Sequence, residues 1–167
     1  MTGDKPHEIY LFKDLEAKEL KKLMAAFTVE NHPPQSQILV EGYSVLKLYL
    51  LQEGEVKVVR NLGDKEIVIA TFGPPHIFGE LGVIDGGAAS ATVETTTDVV
   101  VLAIDRDTFL NILDESPVIG DIVWRNMCFE LTRRLRRTTD QLQDLFSLNQ
   151  ALCDNPQFME FYKKYGP

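Results

Sequence analysis

The fold of this chain is decided by one stretch, Phe78-Gly-Glu-Leu-Gly-Val-Ile-Asp-Gly-Gly-Ala-Ala-Ser-Ala-Thr-Val93. Gly79 allows a sharp backbone turn out of a strand, because it carries no Cβ atom. Residues 80–84 then form one helical turn, whose first N–H groups are expected to point outward and to suit an anion. Glu80 adds a carboxylate acceptor beside them. Together they suit a ligand with both a phosphate and a hydroxyl, such as a ribose phosphate, which the small loop 85–89 can approach closely.

Short strands surround this stretch over residues 27–105. Runs of β-branched and aromatic residues are separated by turn signals such as Glu53-Gly54 and Gly73-Pro74-Pro75. This regular spacing is typical of a barrel, a sandwich or a jelly roll. The predicted strands are Ile38–Val40, Leu46–Leu51, Val56–Val59, Ile67–Phe72, Ala91–Thr97 and Val99–Ile104.

Helical patterns lie on both sides of the strands. Apolar residues recur at helical spacing over residues 8–27, and residues 106–165 read as a helix over 106–115, a long helix over 118–153 and a last one over 157–164. No composition shift marks a second domain within residues 1–167. The residues alone therefore predict a single domain that is mainly β, with helices before and after its strands.

The long helix carries a seam with alternating spacings of four and three residues. Its members are Trp124, Cys128, Leu131, Leu135, Thr138, Leu142, Leu145, Asn149 and Leu152. Such a heptad pattern favours a helix packed along the same helix of a second copy, and the alternative is a helix packed on its own barrel. The expected dimer interface comprises Cys128, Leu131, Leu135, Leu142 and Leu145. Thr138 interrupts the apolar seam and is expected to meet something polar.

Composition excludes several classes of protein. The chain has 17 basic and 25 acidic residues, and its net charge of −8 disfavours binding to nucleic acid. The longest apolar run, Val99–Ile104, is far shorter than the roughly 20 residues of a membrane helix. No secretory signal is evident, so we expect a reducing cytosol. The three histidines and two cysteines show no metal-binding spacing, so neither a metal, another cofactor nor enzymatic activity is expected.

The chain resembles cyclic nucleotide-binding domains of the catabolite activator and FNR-like regulators, and of cyclic-nucleotide-dependent kinases and channels. Glu41-Gly42, Leu48-Tyr49, the segment 54–58 and the segment 78–81 match the recurring pieces of that family in order and spacing, over about residues 8–150. The resemblance implies an α+β fold that is mainly β: an antiparallel β-roll or jelly roll with short N-terminal helices and a long C-terminal dimerisation helix. The β-roll would hold cyclic AMP or cyclic GMP in a phosphate-binding cassette, here residues 78–92. The resemblance also implies that the long helix roofs the pocket. Binding of the nucleotide, or of another small anion, would then bias an effector protein.

The resemblance assigns roles to individual residues. Glu80 matches the glutamate that holds the ribose 2′-hydroxyl. The family's cassette ends in Arg-Ala-Ala-Thr or Arg-Ser-Ala, and its arginine pairs with the cyclic phosphate; here Ala89 replaces it. Thr138 and Thr139 match a pair that meets the adenine across the dimer, and Arg134 shares a helical face with Thr138 and could supply the missing charge. The expected ligand-binding residues are Phe78, Gly79, Glu80, Leu81, Ala89, Ser90, Ala91, Thr92, Arg134, Thr138 and Thr139.

Several interpretations stay open at this point. The loss of the arginine predicts weakened or altered ligand binding, or a degenerate domain without ligand that acts as a dimerisation or protein-interaction module. Glu80 could instead be a plain surface carboxylate or a helix-turn cap, and Thr138 and Thr139 could be ordinary polar residues of the helix. The arginines near residue 135 are expected to form a solvated helix face paired with carboxylates. Only 15 residues follow Leu152, too few for a helix-turn-helix, so a transcription factor is not expected.

Overall fold

Two antiparallel sheets face each other in the computed structural model, which describes residues 9–63 and 65–165. One sheet has the strand order β1-β8-β3-β6, and the other has the order β2-β7-β4-β5. This arrangement confirms the prediction of an antiparallel β-roll. The strands are β1 (Thr28–His32), β2 (Gln37–Leu39), β3 (Lys47–Glu53), β4 (Val56–Leu62), β5 (Lys65–Phe72), β6 (His76–Phe78), β7 (Thr92–Thr95) and β8 (Val99–Asp105).

The core lies between the sheets, and in β8 it follows from the period of two along the strand. There, Val99, Val101 and Ala103 are buried, while Val100 and Leu102 are only half-buried. A cluster of buried side chains joins both sheets, and it comprises Tyr49, Leu51, Val56, Phe78, Val93, Val99, Val101 and Ala103. The β-roll is therefore closed by apolar residues at its centre.

Two strands have no counterpart in the sequence prediction. Strand β1 has the polar sequence Thr-Val-Glu-Asn-His and lies at the edge of its sheet, so it shows no continuous apolar run. Strand β6 is only three residues long. The predicted strand Ala91–Thr97 is shorter in the structure and ends at Thr95.

Helices lie before and after the sheets. In place of one helix over residues 9–27, the structure has a 3₁₀ helix at Tyr10–Phe12 and the helix α1 at Ala17–Met24, separated by Asp14 with a φ of 69°. Residue 8 of that prediction lies outside the described residues. Between β6 and β7 runs α2 (Glu80–Asp85), and β8 is followed by α3 (Arg106–Glu115), α4 (Pro117–Cys153) and α5 (Pro156–Tyr165).

The last helix begins at Pro156, one residue before the predicted start at residue 157. The Asn155 side-chain oxygen accepts the N–H groups of Gln157 and Phe158 over 2.9 and 3.1 Å, and so caps α5. Pro156 occupies the first helical position, where its missing N–H costs nothing.

The chain separates into two compact units, with the boundary between Asn126 and Met127. The first unit holds both sheets with α1, α2 and α3. The second holds most of α4 together with α5. The one-domain interpretation stays a prediction. Within the described residues, no helix combines the length and the hydropathy that a membrane crossing requires.

Candidate functional site

The cassette of residues 78–92 is built on a sharp turn at Gly79. The backbone leaves β6 at Phe78 and turns at Gly79, whose φ is +87°, directly into α2. A Cβ atom at Gly79 would lie 2.7 Å from the carbonyl oxygen of Lys47, so only glycine fits without a shift of the backbone. The predicted sharp turn and the helical turn after it are both confirmed.

Glu80 is buried inside the cassette. Only 5% of its surface is exposed, which rules out the alternative of a plain surface carboxylate. The neighbouring Phe78 is also buried and stacks on Tyr49, with ring centroids 5.1 Å apart. Leu81, by contrast, is exposed. The contact of Glu80 with a ribose hydroxyl stays a prediction.

Hydrogen bonds hold the loop between α2 and β7 in place. The Asp85 side-chain oxygen accepts the N–H of Gly87 over 2.7 Å. Ala89 donates its N–H to the carbonyl oxygen of Tyr43 over 2.8 Å, and its own carbonyl oxygen accepts the N–H of Gly42 over 2.9 Å. The Ala89 side chain is buried. The amides of Gly87 and Ala89 are thus engaged within the protein, which limits what this loop can offer to an anion.

The end of the cassette is hydrogen-bonded to a charged pair, which consists of Glu41 in the turn after β2 and Arg60 in β4. Thr92 is buried, and its hydroxyl oxygen accepts the N–H of Glu41 over 3.0 Å. The Glu41 carboxylate accepts the Nε–H of Arg60 over 2.9 Å and the N–H of Asn61 over 3.2 Å. These bonds, with the Arg60 side chain first, lower the pKa of Glu41. Sequence reasoning did not single out Arg60, since one basic residue in a strand carries no recognisable pattern.

The charge of the cassette itself is acidic. Residues 78–92 contain Glu80 and Asp85 and no lysine, arginine or histidine. Ser90 is exposed and Ala91 is half-buried, so a hydroxyl and a backbone segment are available near the position of the absent arginine. A bound phosphate would therefore find hydrogen-bond donors in the cassette but no side-chain cation.

The candidate residues of the long helix lie in the second compact unit. The Nε–H of Arg134 donates to Glu130 over 3.0 Å, and Glu130 also accepts from Arg133 over 2.8 Å. The pKa of Glu130 is lowered, mainly by the hydrogen bond from the Arg133 side chain. The predicted pairing of the arginines with carboxylates is confirmed at Arg133 and Arg134.

Both threonines of the long helix bond within that helix. The hydroxyl groups of Thr138 and Thr139 donate to the carbonyl oxygens of Arg134 and Leu135 over 3.0 Å each. This is the usual arrangement of a threonine in the middle of a helix. Their contact with a ligand stays a prediction.

The heptad seam is largely exposed to solvent in the single chain. Leu135, Leu142 and Leu145 are 68, 51 and 62% exposed, while Leu131 is half-buried. Cys128 is an exposed thiol. A row of exposed leucines at heptad spacing is what a dimer interface requires, and the dimer itself stays a prediction. The described residues contain no group of side chains arranged to hold a metal ion.

Comparison with known proteins identifies the kind of domain. The family model described as "Cyclic nucleotide-binding domain" matches residues 29–116. Among curated proteins, the "CRP-like cAMP-activated global transcriptional regulator" of Mycobacterium tuberculosis is 27% identical over 157 residues, which is 93% of this chain and 68% of that protein. Two thirds of the relative is thus spanned by this chain.

Solved structures agree with this result. The catabolite activator protein of Thermus thermophilus is similar with a TM-score of 0.75 and 31% identity, covering 86% of this chain and 66% of that one. The regulatory domain of Toxoplasma gondii PKA, crystallised with cAMP, is similar with a TM-score of 0.60 and 27% identity. That match covers 64% of this chain and 41% of the regulatory-domain chain.

Proposed function

Since the chain belongs to the family of cyclic nucleotide-binding domains, we propose that it is a non-enzymatic sensor with weakened or altered affinity for cyclic nucleotides. The ligand would occupy the cassette of residues 78–92 and would bias an effector protein by stabilising one conformation of the domain. The observation that carries the proposal is that the cassette keeps a buried Glu80 but has Ala89 at the position where the family has arginine.

A missing arginine has a calculable cost. A hydrogen bond to a charged group contributes roughly 1.5–3 kcal/mol. Its loss weakens binding by about one to two powers of ten. The amides of Gly87 and Ala89 are already bonded within the protein, so they do not replace it. A sensor of micromolar affinity would then bind only at much higher ligand concentration.

The relatives support a regulatory role. One is named as a cAMP-activated regulator, and another is a kinase regulatory domain with cAMP bound. Neither name describes an enzyme that converts the nucleotide. In this chain the net charge of −8 argues against nucleic acid as the partner, so we propose a protein effector.

A second candidate function is a dimerisation or protein-interaction module that binds no nucleotide. It is favoured by the buried side chain of Ala89, which leaves the cassette without a cation, and by the exposed leucines of α4. In that case the cassette binds no ligand, and the heptad seam of α4 forms the interface with a second copy or with another protein.

Thermal unfolding with cyclic AMP and cyclic GMP tests the proposal. A ligand present at 100 times its dissociation constant stabilises the folded state by about 2.7 kcal/mol, which shifts the midpoint measurably. The sensor predicts a shift in wild type that is smaller or absent in Glu80→Gln. Absence of any shift at millimolar nucleotide would favour the interaction module instead.

A further inference from the structure

Arg106 connects three segments of the first compact unit. It is the first residue of α3, and its backbone N–H donates to the carbonyl oxygen of Leu46 over 2.8 Å. Its side-chain Nε–H donates to the carbonyl oxygen of Val83, in α2 of the cassette, over 3.0 Å. Arg106 therefore bonds at once to the segment that precedes β3 and to the cassette helix.

The hydrogen bond from Arg106 satisfies the carbonyl oxygen of Val83, which has no acceptor role within the cassette helix towards Gly87. In a continuing helix the carbonyl oxygen of Val83 would accept the N–H of Gly87, four residues later. Here the N–H of Gly87 donates to the Asp85 side chain instead, and the helix ends at Asp85. Val83 is fully buried, so its carbonyl oxygen has little access to water. An arginine at this position satisfies one of the free carbonyls that every helix end leaves.

The guanidinium group also lies against the turn by which the loop leaves α2. Gly86 follows the helix with a φ of +70°, and a Cβ atom built on it would lie 3.5 Å from Nη2 of Arg106. The end of the cassette helix and the start of α3 are thus in contact through one side chain. Nη1 of Arg106 also lies 3.4 Å from the carboxylate of the neighbouring Asp107.

We propose that Arg106 is a positioning residue that couples the cassette helix to α3 through its bond to the carbonyl oxygen of Val83. A hydrogen bond of this kind tolerates little displacement, because it weakens beyond about 3.2 Å. A movement of α2 therefore either carries the start of α3 with it or breaks the bond. The coupling of the two helices stands on the geometry alone, whereas its use by a ligand rests on the proposed function.

Two substitutions isolate this bond. Glutamine carries its amide nitrogen at the same distance along the side chain as Nε of arginine, so Arg106→Gln can keep the bond to Val83. Methionine has a similar length and no donor, so Arg106→Met removes the bond. Both variants lose the contact with Asp107, and the difference between them reports on Val83 alone.

Hydrogen–deuterium exchange without ligand provides the readout. In Arg106→Met we expect exchange to rise about tenfold in peptides covering residues 80–87 and 105–112 together, as the loss of a bond from a charged group implies. Arg106→Gln should exchange nearly as wild type does. Arg125→Met serves as the control, since it removes an exposed ion pair with Asp14 and leaves the cassette untouched. Equal exchange in the two Arg106 variants would overturn the proposal.

A second experiment tests whether bound cyclic AMP affects α3 through Arg106, and it uses a protein that carries Ala89→Arg. Bound nucleotide should protect residues 105–112 when Arg106 is present or replaced by glutamine, and should not protect them in the Arg106→Met background. Protection that persists in Arg106→Met overturns the proposal. If Ala89→Arg binds no cyclic AMP, the proposed function fails, while the exchange without ligand still decides the role of Arg106.

Discussion

The backbone N–H of Ala89 donates to the carbonyl oxygen of Tyr43 over 2.8 Å, so this bond positions residue 89 independently of its side chain. The carbonyl oxygen of Ala89 is held as well, by the N–H of Gly42. Both bonds are made by the backbone of residue 89, so neither depends on which side chain this residue carries. This makes the residue a direct test of the cassette.

Ala89→Arg is expected to create or strengthen binding of cyclic AMP. A charge-assisted bond to the phosphate should raise the affinity by about one to two powers of ten. Isothermal titration calorimetry measures it, with Ala88→Arg as the control because residue 88 is exposed and adjacent. Equal affinity in wild type and Ala89→Arg would mean that a side chain at position 89 does not reach the phosphate.

Arg134→Ala tests whether the long helix replaces the missing charge. If Arg134 meets the phosphate, its loss should weaken cyclic AMP binding by about tenfold or more. Arg133→Ala is a matched control, since both arginines donate to Glu130. The same affinity in wild type and Arg134→Ala argues against compensation.

Replacing Leu142 and Leu145 by aspartate should convert a dimer into a monomer. Both leucines are exposed in the single chain and lie at seam positions, where a charge facing the partner helix would be costly. Sedimentation velocity measures the change in mass, and Gln143→Asp adds a charge on the same helix outside the seam. A wild-type chain that sediments as a monomer at high concentration would contradict the predicted interface.

Arg60→Gln should raise the pKa of Glu41 toward its ordinary value. The Arg60 side chain is the first cause of the lowered pKa of Glu41. A carboxylate with a lowered pKa in the folded state stabilises the protein above about pH 4.3, the ordinary value, and this stabilisation is lost as the pH falls through the lowered value. The variant should therefore lose less stability in that acid range.

A ¹³C NMR titration of the side-chain carboxyl groups follows Glu41 directly. Arg125→Gln, which removes an ion pair with Asp14, should leave the Glu41 titration unchanged. A Glu41 pKa that is the same in wild type and in Arg60→Gln would mean that the bond is not maintained in solution.

Gly82→Ala should destabilise the first compact unit. A Cβ atom at Gly82 would lie 2.4 Å from the Cβ atom of Val45, so α2 or the segment around Val45 must move. Forcing an extra carbon into a packed site costs typically 1–3 kcal/mol. Urea denaturation measures the loss, and Gly73→Ala is the control because nothing lies within 4 Å of its Cβ position. Equal effects of the two substitutions would contradict this account of the packing.

Most of the fold was predictable from local patterns, and the exceptions share a cause. Strands such as β8 are short runs of apolar and mostly β-branched residues between turn signals, so they were visible in the sequence. The edge strand β1 pairs with β8 through its backbone while its side chains are mostly polar, and backbone pairing leaves no mark on the sequence. The break at Asp14 within the predicted N-terminal helix was equally invisible, since it depends on one left-handed backbone conformation.

The candidate site divides in the same way. The stretch of residues 78–93 by itself shows Gly79, Glu80 and the absence of arginine at position 89. It does not show the burial of Glu80, the bond from Ala89 to Tyr43 or the pair of Glu41 with Arg60, because they join residues far apart in the chain.

The strands, the turn of the cassette and the heptad seam could be predicted from the sequence, since each is a local pattern with its own period or turn residue. Only the tertiary structure decided which amides of the cassette are already bonded and which side chain completes its helix. Arg106 lies 23 residues after Val83, and their contact arises because β8 returns the chain to the cassette helix before α3 begins. Hydrogen bonds between distant segments depend on how the strands pair, and that pairing is a property of the folded chain as a whole.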